Sequence, residues 1–439
     1  MTAKTSVVEL VLEALSAITE QLPVGTNLAL LHLLWAQVSG AFLPSRGAIF
    51  PALQAVGLAA DEVRRAWAAL RYGAWQTPTL LKAWQEYVLS QNCWREHAHG
   101  GYRPRPVDLT AYWRPALRGL SSKHYHPAAG KALPAIVLGI AVRVGSVNGQ
   151  RVALITDLVR SEPDDTGETD LRRRLVRQLA QGLADDEVAI FDAGFKVREL
   201  QDEKMERYLI RLPVNFTARR NELPEYKGRG RKPQYGQLVR PLPRKGRQGN
   251  FIPATSPDRV ERWDKDGLEM RAEFWDNLVL PDVKVSPDNQ TFTVVAIHDP
   301  RFQRPLLLAY PMEGLNGRAA LALYRDRWPV EQVPLAGKQM LGGARQFVFA
   351  AASRQRLPEL NLLAGAIVTY LAAATPAIPT GFWDRQPRAT PGRFRRRLAR
   401  EHFPKSWPLA GRLRKKESSH GHLPKGAAAH RRTKQANVT

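Results

Sequence analysis

The chain has 439 residues, of which 44% are hydrophobic, and this length and composition predict roughly two or three globular domains rather than a disordered protein. Its 65 Lys and Arg against 41 Asp and Glu give a formal charge of +24, which predicts a polyanionic partner. No uninterrupted apolar run reaches the roughly 18 residues that span a bilayer, and a single cysteine excludes an internal disulfide. We therefore expect a cytoplasmic protein without membrane contact.

Residues 1–100 are predicted to form an α-helical domain, because apolar residues recur there at helical spacing. Two of its helical patterns meet at Gly57, which is the outline of a helix-turn-helix. The second helix of that pair would expose Arg64, Arg65 and Arg71. A plain helical bundle is the alternative interpretation, and in either case we expect residues 1–100 to form a separate α-helical domain. The helix-turn-helix outline predicts that this domain binds DNA.

Three residues with zinc-binding side chains stand at the junction after this domain. Cys93, His97 and His99 lie within seven residues of one another. A structural zinc site needs four ligands, and the second half of such a set is not nearby in the sequence. The sequence therefore predicts no zinc site here.

The pattern after residue 100 changes to that of strands. PVDLTAYW at 106–113 alternates and is rich in β formers, and it contains Asp108. Strand patterns at 133–145 and 151–159 are joined by an Asn-Gly turn typical of a hairpin. A charged helical pattern follows, and then a short apolar strand that ends at Asp192. This order of elements is that of a ribonuclease H-like α/β domain.

Residues 318–347 carry the pattern Y-x2-R-x3-E-x6-K, formed by Tyr324, Arg327, Glu331 and Lys338. These spacings return to one face of an α-helix with about 3.6 residues per turn, so a metal at the glutamate can face a phosphate held by the arginine and the lysine. A charged, solvent-exposed helix face is the alternative. Pro329 and Pro334 favour a kink, and a second helix that begins at Pro329 would keep the last two residues together but rotate the first two.

This four-residue pattern resembles the YREK signature of DDE transposases from bacterial insertion sequences, whose glutamate is the last member of an acidic catalytic triad. DAGF at 192–195 resembles the segment around the second acid of that group, and VDLTAYWRP at 107–115 resembles the first. The resemblance implies a ribonuclease H-like catalytic core with the triad Asp108, Asp192 and Glu331. The triad would hold two Mg²⁺ ions, for which Mn²⁺ substitutes.

The resemblance also implies phosphate contacts by the other residues of the motif, Tyr324, Arg327 and Lys338. Trp328 beside the motif is predicted to stack on an unpaired base. From the residues alone, Asp192 also suits a turn residue that caps the next helix. Asp157 and Asp326 are rival carboxylates for the site.

The separation of 139 residues between Asp192 and Glu331 is longer than a ribonuclease H-like core needs. We therefore expect a mainly β insertion at 212–310, within a catalytic domain that spans 101–384. Residues 227–247 hold eight cations and no acid. We predict contacts to the DNA backbone there rather than a solvated linker, by Lys227, Arg229, Arg231, Lys232, Arg240, Arg244, Lys245 and Arg247.

Residues 385–439 form a basic C-terminal tail with 16 Lys or Arg and two Glu. GRFRRRLAR within it predicts a basic helix on DNA, with contacts by Arg395, Arg396 and Arg397. The last twenty residues are predicted to be disordered. Before the tail, residues 360–378 predict a buried core helix that closes the catalytic domain.

The resemblance thus implies a DNA transposase that hydrolyses DNA at transposon ends and then joins the freed 3′-hydroxyl to target DNA. Its expected partners are transposon-end DNA, target DNA and a second copy of the chain in the synaptic complex. The expected location is the bacterial cytoplasm, at the nucleoid. Two alternatives stay open: an inactive DNA-binding protein derived from a transposase, and a ribonuclease H-like nuclease without strand transfer.

Overall fold

The computed structural model describes residues 6–416 except for positions 118, 121, 163, 164, 166, 227, 229, 247 and 248. In this part of the chain the protein is a mixed α/β structure with a large, mostly antiparallel sheet of 13 strands and eleven α-helices. The predicted α/β class is confirmed at this level. The prediction of a disordered C-terminus concerns residues outside the described part.

Five helices occupy the N-terminal region, as predicted: α1 (Val7–Thr19), α2 (Thr26–Val38), α3 (Ile49–Ala55), α4 (Ala60–Tyr72) and α5 (Thr77–Ser90). α1 begins with a capping box, in which Ser6 Oγ accepts from the Glu9 N–H and the Glu9 carboxylate accepts from the Ser6 N–H. Two free amides at the helix start are thereby satisfied.

The predicted helix-turn-helix corresponds to α3 and α4, which meet at Gly57 in a left-handed turn with φ of 82°. Its second helix does not expose three arginines as expected. Arg64 is exposed, whereas Arg65 is half-buried and pairs with Asp61, and Arg71 is half-buried over two aromatic rings of its own helix. DNA binding by this pair stays a prediction.

The elements of the central region are β1 (Trp94–Glu96), β2 (Arg103–Trp113), β3 (Lys123–His126), a 3₁₀ turn (Pro127–Ala129), β4 (Lys131–Val147), β5 (Gln150–Arg160), α6 (Glu168–Gly182), β6 (Glu187–Phe191), α7 (Val197–Asp202) and β7 (Tyr208–Arg211). The predicted strands and helices occur in the predicted order, and the short strands β1 and β3 are additional. The β4–β5 hairpin turns at Asn148 and Gly149, whose φ values of 49° and 77° fit the type I′ turn that Asn-Gly predicts.

Five of these strands lie side by side in the order β5-β4-β2-β6-β7. β4 runs antiparallel to β5 and β2, whereas β2, β6 and β7 are mutually parallel. Alternate residues of β4 pack into two different hydrophobic cores. Leu138 and Ile140 face the N-terminal helices, and Val137 and Ala141 face α6.

The described residues of 212–310 form strands and no helix, in line with the expected β character: β8 (Ala218–Arg220), β9 (Leu238–Val239), β10 (Arg244–Lys245), β11 (Phe251–Ile252), β12 (Arg259–Lys265), β13 (Leu268–Val279), β14 (Phe292–His298) and β15 (Leu306–Tyr310). Six of them continue the same sheet beyond β7 in the order β15-β14-β13-β8-β9, with β12 on β13, whereas β10 and β11 pair in a separate sheet. β12 was not expected, because five of its seven residues are charged. β9 is short because Pro241 and Pro243 soon follow it and lack donors.

The C-terminal elements are α8 (Gly317–Arg325), α9 (Pro329–Leu335), a π-helical turn (Ala336–Met340), α10 (Ala351–Ala374) and α11 (Pro391–Leu398). α10 is long and apolar enough to cross a membrane by length and composition, but 89% of its most apolar window is buried in the protein. It is the predicted core helix. α1–α5 share one hydrophobic core with α9, α10, α11 and a face of β4 and β5, so the domain division near residue 100 stays a prediction.

Candidate functional site

The first two predicted acids lie at the same level of two adjacent parallel strands. The ladder between β2 and β6 ends at the pair Pro106–Ile190, and Asp108 and Asp192 each lie two residues beyond it. Asp108 shares its face of β2 with Tyr112, whose hydroxyl donates to Asn361 of α10 at 3.0 Å. α9 contacts the same strand, so this face of the sheet meets the helix that carries Glu331.

The charges of Asp192 and Glu331 act on Asp108. Burial is the main cause that raises the pKa of Asp108 to about 6, and Glu331 and Asp192 raise it further. The Leu109 N–H, which donates to the carboxylate at 2.8 Å, and the charge of Arg327 act in the opposite direction. Asp192 and Glu331 therefore lie close enough for their charges to disfavour the ionisation of Asp108.

Asp192 follows β6 and is 38% exposed, so its carboxylate is open to a ligand. Tyr324 donates to its Oδ1 at 3.4 Å, and nitrogens of Arg211 and Arg327 lie 3.8 and 3.9 Å from its oxygens. The side chain that caps α7 is that of Glu199, whose carboxylate accepts a hydrogen bond from the Lys196 N–H at the start of the helix. Asp192 therefore does not cap this helix.

The YREK residues do not lie on one continuous helix, and that prediction is wrong. α8 ends at Arg325, and α9 begins at Pro329, whose fixed φ and missing N–H suit a first helical position. Pro334 lacks the N–H that would bond back within α9, and the helix widens into the π-helical turn after it. The break at Pro329 is the alternative that the prolines indicated.

Arg327 joins the two halves of the broken motif. Its guanidinium pairs with Glu331 four residues later, and its central carbon lies 5.8 Å from the ring centre of Tyr324. Burial acts to lower the pKa of Arg327, but Asp192, Tyr324 and Glu331 outweigh it and raise that pKa. A permanent cation thus stands between two of the three acids.

Lys338 reaches the same site from the π-helical turn. Its ammonium donates to Thr110 Oγ1, two residues after Asp108 on β2, and lies 5.0 Å from the ring centre of Tyr112. Burial lowers the pKa of Lys338 to about 8, although the charge of Asp108 acts to raise it. All four YREK residues and both predicted aspartates therefore converge: Lys338 bonds to Thr110 within range of the charge of Asp108, and Tyr324 bonds to Asp192.

The two rival carboxylates face elsewhere. Asp157 pairs with Arg105 at 3.0 Å and accepts from Gln178 at 2.9 Å. Asp326 is 1% exposed and accepts from His97 and His99 at 2.8 Å each. Burial acts to raise the pKa of Asp326, but these hydrogen bonds outweigh it and lower that pKa to about 2.

Sequence reasoning missed Thr110, Arg211 and the group formed by Asp326 with His97 and His99. Thr110 could have been predicted, because residues two apart on a strand share a face and Thr110 is two residues after Asp108. Arg211 could not have been predicted without knowing that β6 pairs with β7. Asp326 follows the histidines by more than 200 residues, so no local spacing connects them.

The predicted DNA contacts in the insertion differ in exposure. Arg231, Lys232 and Lys245 are exposed, whereas Arg240 and Arg244 are half-buried. Arg244 and Lys245 form β10, which pairs with β11 in a small separate sheet. Lys227, Arg229 and Arg247 are outside the described residues. Trp328, predicted to stack on a base, is 57% exposed at the corner between α8 and α9.

The predicted basic helix is α11, and its three arginines are not equivalent. Arg396 and Arg397 are exposed and line a cleft of about 350 Å³ together with Arg393 and Arg400. Arg395 is half-buried and packs so closely on Gly40 that a Cβ there would lie 2.6 Å from its Cδ. Packing rather than DNA contact explains the position of Arg395.

The chain matches no protein-family model, and no curated protein matches it either.

Proposed function

We propose that this protein is a DDE transposase that cuts DNA at transposon ends and joins the freed 3′-hydroxyl to target DNA. One observation carries the proposal. Asp108, Asp192 and Glu331 come from β2, the end of β6 and α9, yet Arg327 lies against both Asp192 and Glu331, and the charges of these two acids act on Asp108. Tyr324, Arg327 and Lys338 surround the same carboxylates, as phosphate-binding groups of such an enzyme would.

The proposal includes a ribonuclease H-like core made of β5, β4, β2, β6 and β7. Two features support it: only β4 runs against the other parallel strands at the centre, and α6 links β5 to β6. In this arrangement the first acid lies on the central strand, the second follows the neighbouring parallel strand, and a later helix brings the third. The strands of 212–310 would then be the insertion.

The residues present fit divalent metal ions. Three carboxylates are hard oxygen donors of the kind that Mg²⁺ prefers, and Asp192 and Glu331 are 38% and 39% exposed. Asp108, Asp192 and Glu331 would hold two ions, Mg²⁺ or in its place Mn²⁺. Bound there, the ions would activate the attacking oxygen and neutralise charge on the leaving one.

The side chains of the chain itself would bind and orient the phosphate. Arg327 pairs with Glu331 and lies near Asp192, so it would exchange these carboxylates for a phosphate once their charge is neutralised otherwise. Lys338 and Tyr324 would contact phosphate oxygens from the two ends of the site. Water first attacks the phosphorus and the 3′ oxygen leaves as a hydroxyl; that hydroxyl then attacks a target phosphodiester and displaces its 3′ oxygen.

The surfaces around this site supply the expected DNA contacts. Exposed cations on α11 and in the insertion, such as Arg396 and Lys232, would bind backbone phosphates without reading sequence. Joining two transposon ends would need a second copy of the chain at the synaptic complex. The place of action we propose is the bacterial cytoplasm, at the nucleoid.

Cleavage of duplex DNA that carries the element's own end tests the proposal. We expect Mg²⁺-dependent nicking by the wild type and loss of at least a thousandfold in rate for Glu331→Gln, on the order of what electrostatic transition-state groups supply. Glu313→Gln is the matched control, because Glu313 is an exposed glutamate outside the site. Both variants should bind the DNA as the wild type does.

Three outcomes would decide against parts of the proposal. Equal cleavage by Glu331→Gln and the wild type would remove α9 from the chemistry. Cleavage without joined products would indicate a nuclease. DNA binding that depends on salt but never leads to Mg²⁺-dependent cleavage would indicate an inactive descendant of a transposase.

A further inference from the structure

A second polar group lies at the corner between α8 and α9, where Asp326 directly precedes Arg327 in the chain. Asp326 Oδ2 is 2.8 Å from His97 Nδ1 and 2.8 Å from His99 Nε2. Asp326 is 1% exposed, and the histidines are 19% and 30% exposed. His97 and His99 are two residues apart in an extended stretch after β1, so both rings reach the same side.

The ligand atoms of these residues are close enough to share an ion. One atom from each of His97, His99 and Asp326 lies within 4.8 Å of the others, and among the described residues this is the one such group of three. A tetrahedral zinc ion, with bonds of about 2.0–2.2 Å, places its ligand atoms roughly 3.4 Å apart. The 2.8 Å separations between Asp326 Oδ2 and the two histidine nitrogens are shorter than this, so the side chains would move apart to admit the ion.

The surroundings of the group resemble those of a metal ligand set. Ser146 Oγ lies 2.6 Å from His97 Nε2, the ring nitrogen that faces away from Asp326. Such a partner fixes the orientation of the ring, as the outer hydrogen bonds of metal-ligating histidines do. Arg151 Nε lies 3.4 Å from the other oxygen of Asp326, Oδ1, which leaves Oδ2 directed at the histidines.

We propose that His97, His99 and Asp326 form a site for one transition-metal ion of the zinc type, separate from the acidic triad. Two imidazoles and one carboxylate favour Zn²⁺ or Co²⁺, whereas Mg²⁺ prefers oxygen ligands and keeps its water. The half-exposed histidines leave a fourth position for water. Without the ion, the hydrogen bonds of His97 and His99 to Asp326 hold the three side chains together at the same place.

The ion would act on the position of the active site and not on the substrate. His97 and His99 follow β1, which pairs with β4, and Asp326 precedes Arg327 directly. A metal at this point would connect the sheet to the corner between α8 and α9. Glu331 lies on α9, just after this corner. Asp326, His97 and His99 are therefore positioning residues.

Zinc binding by the full-length chain without an affinity tag tests this inference. After removal of metal with a chelator, we expect about one Zn²⁺ per chain to bind at micromolar concentration, with a rise in melting temperature that equimolar Mg²⁺ does not produce. Co²⁺ in place of zinc should give visible absorption bands of a tetrahedral nitrogen and oxygen site.

Three variants identify the ligands. His99→Gln should weaken zinc binding at least tenfold and abolish the Co²⁺ bands, whereas the melting temperature of the metal-free protein should stay near that of the wild type. Asp192→Asn should bind zinc normally, which separates this site from the triad. His402→Gln, at an exposed histidine elsewhere, should also bind normally. Equal zinc binding by His99→Gln and the wild type, or no binding by the wild type, would overturn the proposal.

Discussion

At the scale of a single residue, Lys338 shows that a side chain of the proposed site can reduce the stability of the folded protein. Its ammonium is buried against Tyr112 and Trp113, and burial lowers its pKa to about 8. The charged form, which would bind phosphate in the proposed reaction, is therefore the form that the folded protein disfavours.

We predict that Lys338→Met stabilises the protein at pH 7 by about 1–3 kcal/mol, because the lysine pKa shift corresponds to about 1.4 kcal/mol per unit and methionine has similar volume without charge. The same variant should lose cleavage at least a hundredfold. Urea unfolding and the nicking assay measure the two effects. Lys232→Met, at an exposed lysine, should change neither. A less stable Lys338→Met protein would show that the ammonium contributes to the fold.

His32 gives the clearest prediction for pH. It is 3% exposed in α2 and packs edge-on against Phe403, and burial lowers its pKa from 6.5 to about 4. A depressed histidine pKa means that the unfolded chain takes up a proton first as the pH falls. The stability associated with neutral His32 is present above pH 6.5 and is lost as the pH falls toward 4.

Between pH 6.5 and pH 5, unfolding should therefore become easier by up to about 2 kcal/mol through this one residue. Urea unfolding at several pH values measures it. His32→Gln should remove most of that dependence, and His402→Gln should retain it. An identical pH dependence in His32→Gln would assign the effect to other groups.

At the scale of elements, the sequence predicted which segments form the site better than how they meet. Alternation around Asp108, the short apolar strand before Asp192 and the Asn-Gly hairpin are local signals, and the strands they predict are present. The convergence of the YREK residues has no local signal, because the helix breaks at Pro329 and widens after Pro334. Packing against α10 decides that geometry, and packing partners are distant in sequence.

Glycine contacts hold α10 against α9 and the π-helical turn. A Cβ on Gly365 would lie 2.5 Å from the Val333 carbonyl oxygen and 2.9 Å from the Gly337 nitrogen, and a Cβ on Gly337 would lie 2.7 Å from Asn361. Neither approach leaves room for a methyl group. The backbone between Glu331 and Lys338 can therefore sit this close to α10 only with glycines at these points.

We predict that Gly365→Ala destabilises the protein by about 1–3 kcal/mol, as overpacking of a close contact does, and lowers cleavage further than this loss of stability explains. Gly182→Ala is the matched control: Gly182 also lies in a helix, and no atom would be within 4 Å of its Cβ. Thermal unfolding and the nicking assay under folded conditions separate the two effects. Full activity of a folded Gly365→Ala protein would contradict this role of the contact.

At the scale of the whole molecule, a formal charge of +24 predicts DNA binding that weakens steeply with salt. The structure distinguishes cations that line a cleft from those held in ion pairs outside it. Arg396 and Arg397 line the cleft on α11, where Arg397 also pairs with Glu401 at 3.6 Å, whereas Arg173 pairs with Asp202 at 3.3 Å outside that cleft. Composition alone cannot make this distinction, because both kinds of arginine count equally.

Each phosphate contact contributes about 0.9 to the slope of log affinity against log salt. We predict that Arg396→Gln with Arg397→Gln lowers the magnitude of this slope by up to about 1.8, and that Arg173→Gln leaves it nearly unchanged. Titration of duplex DNA at several NaCl concentrations measures the slope. An unchanged slope in the double variant would remove α11 from the DNA interface.

Strand transfer from a pre-cut transposon end is the most direct test of the proposed reaction. The substrate is end DNA with a free 3′-hydroxyl, mixed with target plasmid, Mg²⁺ and the full-length protein. We predict joined products with the wild type, none with Asp192→Asn, and none when the end carries a 3′-deoxy terminus, because the hydroxyl is the nucleophile. Joined products from Asp192→Asn, or from the 3′-deoxy end, would contradict the account of a triad that activates this hydroxyl.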